Sequence, residues 1–110
     1  MTTFDDRERR FEAKFAHDAE ARFKVETRRD RLIGAWAAEK LGLSSSDAEA
    51  YARSVVRADL KEPGDDDVFE KLREDLPPSI SDEDIRAKMA ECLDRAMDET
   101  RSPGTRGGGA

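Results

Sequence analysis

Few side chains in this 110-residue chain have reactive chemistry to offer. One histidine, His17, and one cysteine, Cys92, stand alone. His17 falls on the polar side of a long helical pattern, about 220° around the wheel from Phe4. It is expected to be exposed, and its functional use would be a pH-sensitive contact with a partner. Cys92 sits among apolar positions of helical spacing, which predicts a buried, inert thiol. The run Asp65-Asp66-Asp67 does not make a calcium loop, because Glu70 and Leu76 stand where that loop needs a glycine and a glutamate. It reads instead as the acidic start of a helix. Arg28, Arg29 and Arg31 could clamp a phosphate or an acidic surface, or simply form a solvated helix face. The glycines fall in turns or the tail, so no phosphate-cradling loop exists. The expectation is a protein that is not an enzyme, with no metal and no required cofactor.

The elements that carry these residues are helices. From Thr2 to Leu43 there is no proline, and the first glycine is Gly34. Phe4, Phe11, Phe15, Ala19, Phe23, Val25, Leu32, Ile33, Trp36, Ala37 and Leu41 all fall in one half of the wheel. Thr3, with Asp6 three residues on, is placed to cap the start. The pattern predicts one continuous rod of about 57 Å at ~1.5 Å per residue. Three shorter helices follow. Ser46 with Glu49 forms a capping box for the second, which Glu62-Pro63-Gly64 stops. Val68, Phe69, Leu72 and Leu76 line the third, ended by Pro77-Pro78. Ser81 caps the fourth, with Ile80 and Ile85 as a hydrophobic staple and Met89, Cys92, Leu93, Ala96 and Met97 along its core stripe. Trp36 and Phe69 are the expected large core residues. The longest of these later helices spans only about 28 Å, so the first 20 or so residues are expected to project, with Phe4, Phe11 and Phe15 as an apolar stripe. The alternative is that they fold back onto the bundle.

The fold class is therefore all-α: a four-helix bundle with an overlong first helix whose N-terminal part projects or is disordered. The expected division is a projecting segment at 1–20, the bundle at 21–101 and a disordered tail at 102–110. Charged residues make up 42% of the chain against 36% hydrophobic, which suits solvated helices better than a large β-core. Net charge is −6, which argues against nucleic acid as a partner. Residues 1–31 hold 9 basic and 8 acidic side chains, so the acidic excess lies in the remainder. A lone cysteine suits a reducing compartment, no apolar run could span a bilayer, and the polar start resembles no signal peptide. A cytoplasmic protein is expected.

The stretches TFDDRERRFEAKFAHDAEARFK and RRDRLIGAWAAEKLG, continued by AYARSVVRADLKEPGDDDVFEKLREDL and IRAKMAE, resemble the zeta subunit of alpha-proteobacterial F-type ATP synthases. The pieces F-D-D-R-E, K-F-A-H-D and E-P-G-D-x-D-V-F carry the resemblance, which covers nearly the whole chain apart from the tail. It implies a four-helix bundle bearing an N-terminal inhibitory segment, which inserts between catalytic and non-catalytic subunits of the synthase head (alpha and beta) and touches the central stalk, gamma. ATP hydrolysis is thereby blocked, and the segment becomes helical on binding. The resemblance maps this segment onto residues 1 to about 19, through Phe4, Asp5, Asp6, Arg7, Glu8, Lys14, Phe15, Ala16, His17 and Asp18. Phe11 joins these partner-binding residues because it lengthens the apolar stripe. Arg10-Phe11 depart from the family pattern, where smaller or more polar residues, commonly including a histidine, are expected. Family members are also linked to ADP or ATP as a regulatory ligand, with no contact residues assignable here.

Two functions remain beside each other. One is a protein inhibitor of the synthase head, monomeric when free and peripheral to the membrane through the enzyme. The alternative is an adenine-nucleotide-binding helical regulatory module without direct inhibition. A homodimer pairing two phenylalanine stripes is a third arrangement.

Overall fold

The computed structural model describes residues 9–11, 13, 18–60 and 66–101. Helix α1 runs Ala19–Leu41, α2 Ser45–Asp59, α3 Asp66–Asp75 and α4 Asp82–Arg101, and residues 9–11 and 13 are helical as well. The chain is all-α, as its composition requires: no strand occurs among the described residues. Thr3, the Glu62-Pro63-Gly64 stop and the tail at 102–110 lie outside the described residues.

The continuous rod is corrected at Asp18. This residue is extended, with φ −131° and ψ 87°, and its side chain accepts a hydrogen bond from Ala21 N at 3.0 Å. Its carbonyl accepts the first helical bond, from Arg22 N at 3.0 Å. An aspartate whose carboxylate satisfies an orphan backbone donor stabilises a helix start by about 1 kcal/mol. The same local bond competes with continuing a helix through that position. Helix α1 therefore has 23 residues, about 35 Å, and α4 has 20, about 30 Å, at ~1.5 Å per residue. Helix α1 is still the longest of the four, and the residues before Asp18 are separate from it.

The other ends follow from local chemistry. Gly42 takes the left-handed conformation, φ 71°, and the N–H groups of Gly42 and Leu43 donate back to Glu39 O and Ala38 O at 3.1 and 3.0 Å. That closure needs a residue without a Cβ penalty. Helix α2 begins two residues earlier than the Ser46 capping box predicts. Ser44 is its N-cap, through its carbonyl bond from Ala48 N at 2.7 Å, with no side-chain cap bond. Helix α4 starts as expected, with Asp84 N donating to Ser81 Oγ at 3.0 Å. Ile85 is buried and Ile80 packs at the core's edge. Arg73 clamps the α3–α4 link: its guanidinium donates to Pro77 O and Ile80 O, each at 2.8 Å, and to Asp82 Oδ1 at 2.7 Å.

Helix α1 packs along α2 and α4, and α3 closes against α2 and α4. Two apolar clusters result. The larger holds Ile33, Ala37, Val55, Val68, Leu72, Leu76, Ile85, Met89 and Cys92. The smaller lies at the far end of α1 and α4 and holds Val25, Leu93, Ala96, Met97 and Phe11. Trp36 and Phe69 flank the large cluster instead of filling it, because each is half-buried and carries a cation over its ring: Lys88 Nζ at 6.0 Å from Trp36 and the Arg86 guanidinium at 3.8 Å from Phe69. Phe23, placed on the apolar side by the wheel, is 51% exposed.

Gly34 sets the spacing of α1 and α2. A Cβ built on it would stand 2.8 Å from Ala52 Cα and 3.1 Å from Ala52 Cβ, a backbone contact that cannot swing away. Gly34→Ala should destabilise the chain by about 1–3 kcal/mol through overpacking, even though alanine favours a helix by roughly 1 kcal/mol over glycine. Thermal unfolding of the variant should show a lowered midpoint. An unchanged or raised midpoint would mean the helices can part at no cost.

Candidate functional site

Phe11 marks the place where the N-terminal residues meet the bundle. It is 4% exposed, seated against Val25, Leu93, Ala96 and Met97, with Ala21 and Leu32 at the rim. The small side chains of Ala21 and Ala96 leave the room a benzyl group fills. The Arg22 guanidinium stands 5.4 Å above its ring. This corrects the projecting stripe at Phe11: the side chain folds back onto the groove between α1 and α4. Asp18 is exposed and caps α1. Phe4, Asp5, Asp6, Arg7, Glu8, Lys14, Phe15 and His17 lie outside the described residues.

Arg22 connects this seat to a buried ionic group. Its Nε lies 3.4 Å from Glu26 Oε2. Burial pushes the Glu26 carboxyl above the ordinary range, and Asp59 adds to it, against the pull of Arg22 and Arg29. Deeper in, Arg29 and Asp30 are each 1% exposed. Arg29 Nε donates to Asp30 Oδ1 at 2.7 Å, and Arg29 Nη2 lies 3.5 Å from Asp59 Oδ2 at the end of α2. Burial raises Asp30 from 3.8 to about 9, with the Asp59 carboxylate assisting and Arg29 opposing. Asp30 Oδ2 is buried and meets no hydrogen-bond partner.

The basic triplet does not act as one group: Arg28 and Arg31 are exposed, and Arg29 is buried. Arg28 pairs with Glu99 on α4. Spacing alone contained the signal. Val25, Arg29, Ile33 and Ala37 form one i, i+4 row, and Asp30, Gly34 and Ala38 form the next; every member of both rows is buried. A charge in the middle of an apolar row is a buried charge.

Cys92 is buried, and burial pushes its thiol up to about 11, as an inert core cysteine requires. Among the described residues no cluster of histidine, cysteine or carboxylates has the make-up of a metal site, and no helix is long and apolar enough to cross a membrane. An open cleft of about 440 Å³ is lined by Trp36, Lys40, Ile80, Asp84, Lys88 and Glu91, with Lys88 paired to Glu91.

The chain matches the family model described as ATPase inhibitor subunit zeta over residues 1–99. It belongs to that family. No curated protein matches its sequence. Zeta membership makes the chain an inhibitor subunit of an ATPase. The match takes in the N-terminal residues as well as the four helices, so the seat of Phe11 and the cap at Asp18 both fall inside the zeta family's extent.

The buried acid gives the zeta bundle a pH dependence of definite sign. Asp30 binds its proton more tightly folded than unfolded, so its contribution to stability is complete below pH 3.8 and is lost as pH rises through about 9. The decline runs across the whole interval between these two values, neutral pH included, and levels off above the upper one. Asp30→Asn, which keeps the shape without an ionisable group, should flatten this decline in thermal melts taken from pH 6 to 10. Parallel curves for both proteins would show that Asp30 is ionised in the fold.

Proposed function

We propose that the chain inhibits ATP hydrolysis by an F-type ATP synthase, with residues 1 to about 19 as the inhibitory segment. The segment enters the catalytic head between alpha and beta and meets gamma, while the bundle stays outside as its anchor. The protein is a cytoplasmic monomer when free and joins the membrane peripherally, through the enzyme. It is a regulator with no catalytic residues of its own. The observation that carries this reading is that family membership starts at residue 1 and runs through the bundle. The cap at Asp18 supports it, because it separates the segment from α1 at a defined joint. Within the segment, Phe4, Asp5, Asp6, Arg7, Glu8, Phe11, Lys14, Phe15, His17 and Asp18 would face the partner. Ordering it costs roughly 1–2 kcal/mol per residue, which phenylalanine burial and charge pairs in the head must offset.

A second reading is favoured by the cleft at Trp36. Trp36 and Lys40 line it and would supply aromatic and anion contacts to ADP or ATP, so the bundle would act as a nucleotide-responsive module. Calorimetry of the bundle separates the two readings: nucleotide binding with no effect on an ATPase would favour the module.

The test of the first reading is addition of the chain to a purified synthase head while hydrolysis is followed. The full chain should suppress hydrolysis. A chain lacking residues 1–19 should keep its helical circular dichroism and lose the suppression. A folded truncation that still inhibits would place the inhibitory surface on the bundle.

A further inference from the structure

The inhibitory segment and the bundle are in competition for one side chain. Phe11 is almost fully buried in the chain's own α1–α4 groove, under the Arg22 guanidinium, while Arg9 and Arg10 beside it are exposed. A segment held in this way cannot offer Phe11 to another protein. We infer that the groove lined by Val25, Leu93, Ala96 and Met97 is a resting seat for the inhibitory segment, and that Phe11 must leave it before the segment engages the ATPase. This rests on the reading that residues 1–19 are the inhibitory segment.

The geometry supports a hold that can be released. The seat takes one large side chain, and Arg22, whose own ion pair with Glu26 is partly exposed, lies over it. Phe11 enters from a short helical stretch that Asp18 separates from α1, so the joint allows it to swing away without unwinding the bundle. Seating lowers the fraction of chains ready to bind. If about nine chains in ten are seated, the apparent affinity for the target falls about tenfold, and any change that empties the seat restores it.

The test changes the groove and leaves the segment intact. Met97→Glu places a charge against Phe11, and Arg22→Ala removes its cover with less disturbance of the core. Circular dichroism checks that both remain folded. Tryptic cleavage of the Arg10–Phe11 bond, followed by mass spectrometry, reads the seat directly; it should be about fivefold or more faster in both variants. The concentration giving half-inhibition of ATP hydrolysis should fall about threefold or more in the same proteins. Cleavage rates equal to the parent's in both variants would show that Phe11 is not held, and would overturn the proposal. Faster cleavage with equal or weaker inhibition would overturn it as well, because release would then be no condition for binding. A parent chain that does not inhibit at all removes the inhibitor reading and this regulation together. A parent that inhibits, with variants no more potent, removes the regulation alone.

Discussion

Helix α1 carries an arginine in the middle of its apolar row, and the rest of the bundle is arranged to accommodate it. Arg29 lies between Val25 and Ile33 in an i, i+4 series whose members are all buried. An unpaired guanidinium at such a depth would cost several kcal/mol. Asp30 and Asp59 both reach it, and Asp59 comes from the last turn of the neighbouring helix. The pairing fixes how far α2 slides along α1. Gly34 against Ala52 fixes how close the two helices come. A purely apolar seam would allow sliding by a turn at modest cost, whereas a buried ion pair would be broken by the same shift. Specificity of register is the best-attested use of such groups.

Much of the bundle was legible before any coordinates. Ser81 as a cap, the Ile80–Ile85 staple, the Asp66-Asp67 start and Cys92 as a core thiol all rest on short-range chemistry, and short-range chemistry is what a sequence displays. The break at Asp18 was harder to see. Phe11, Phe15, Ala19 and Phe23 keep helical phase across it, so periodicity alone runs straight through. The competing signal was an aspartate three residues before Ala21, with Glu20 in the turn between them, inside a run where charged residues are otherwise unremarkable. The rod's length changes with it: counted from Ala19, α1 exceeds α4 by only three residues.

The site was less legible, for a different reason. Arg28, Arg29 and Arg31 look alike in a list, yet helix geometry sends them in three directions: to Glu99, into the core and to solvent. Asp59 could not be joined to Arg29 from sequence, since the pairing depends on the antiparallel turn at Gly42 and on where α2 ends. Likewise, Phe11 as a departure from the family pattern suggested a longer stripe for a partner. Its placement shows an internal use, made possible by Ala21 and Ala96, whose smallness has no meaning until α1 and α4 are set side by side.

The seat and the buried charges are not independent. Arg22 lies over Phe11 on one side and reaches Glu26 on the other, and Glu26 feels Asp59 and Arg29. Fully burying a phenylalanine contributes roughly 1.5–3 kcal/mol, while fixing the backbone of each tethering residue costs about 1–2 kcal/mol. Over the four helical residues 9–11 and 13 the cost is roughly 4–8 kcal/mol, more than Phe11 alone offsets. Weak terms add to what Phe11 contributes, and Arg22 supplies one: an exposed ion pair and a cation over an aromatic ring contribute up to about 1 kcal/mol each. A contact held by one large side chain and such weak terms is the kind that a binding partner can displace. Placing the cover on a residue tied to the ionic core lets the bundle hold the segment only when the helices beneath are correctly assembled.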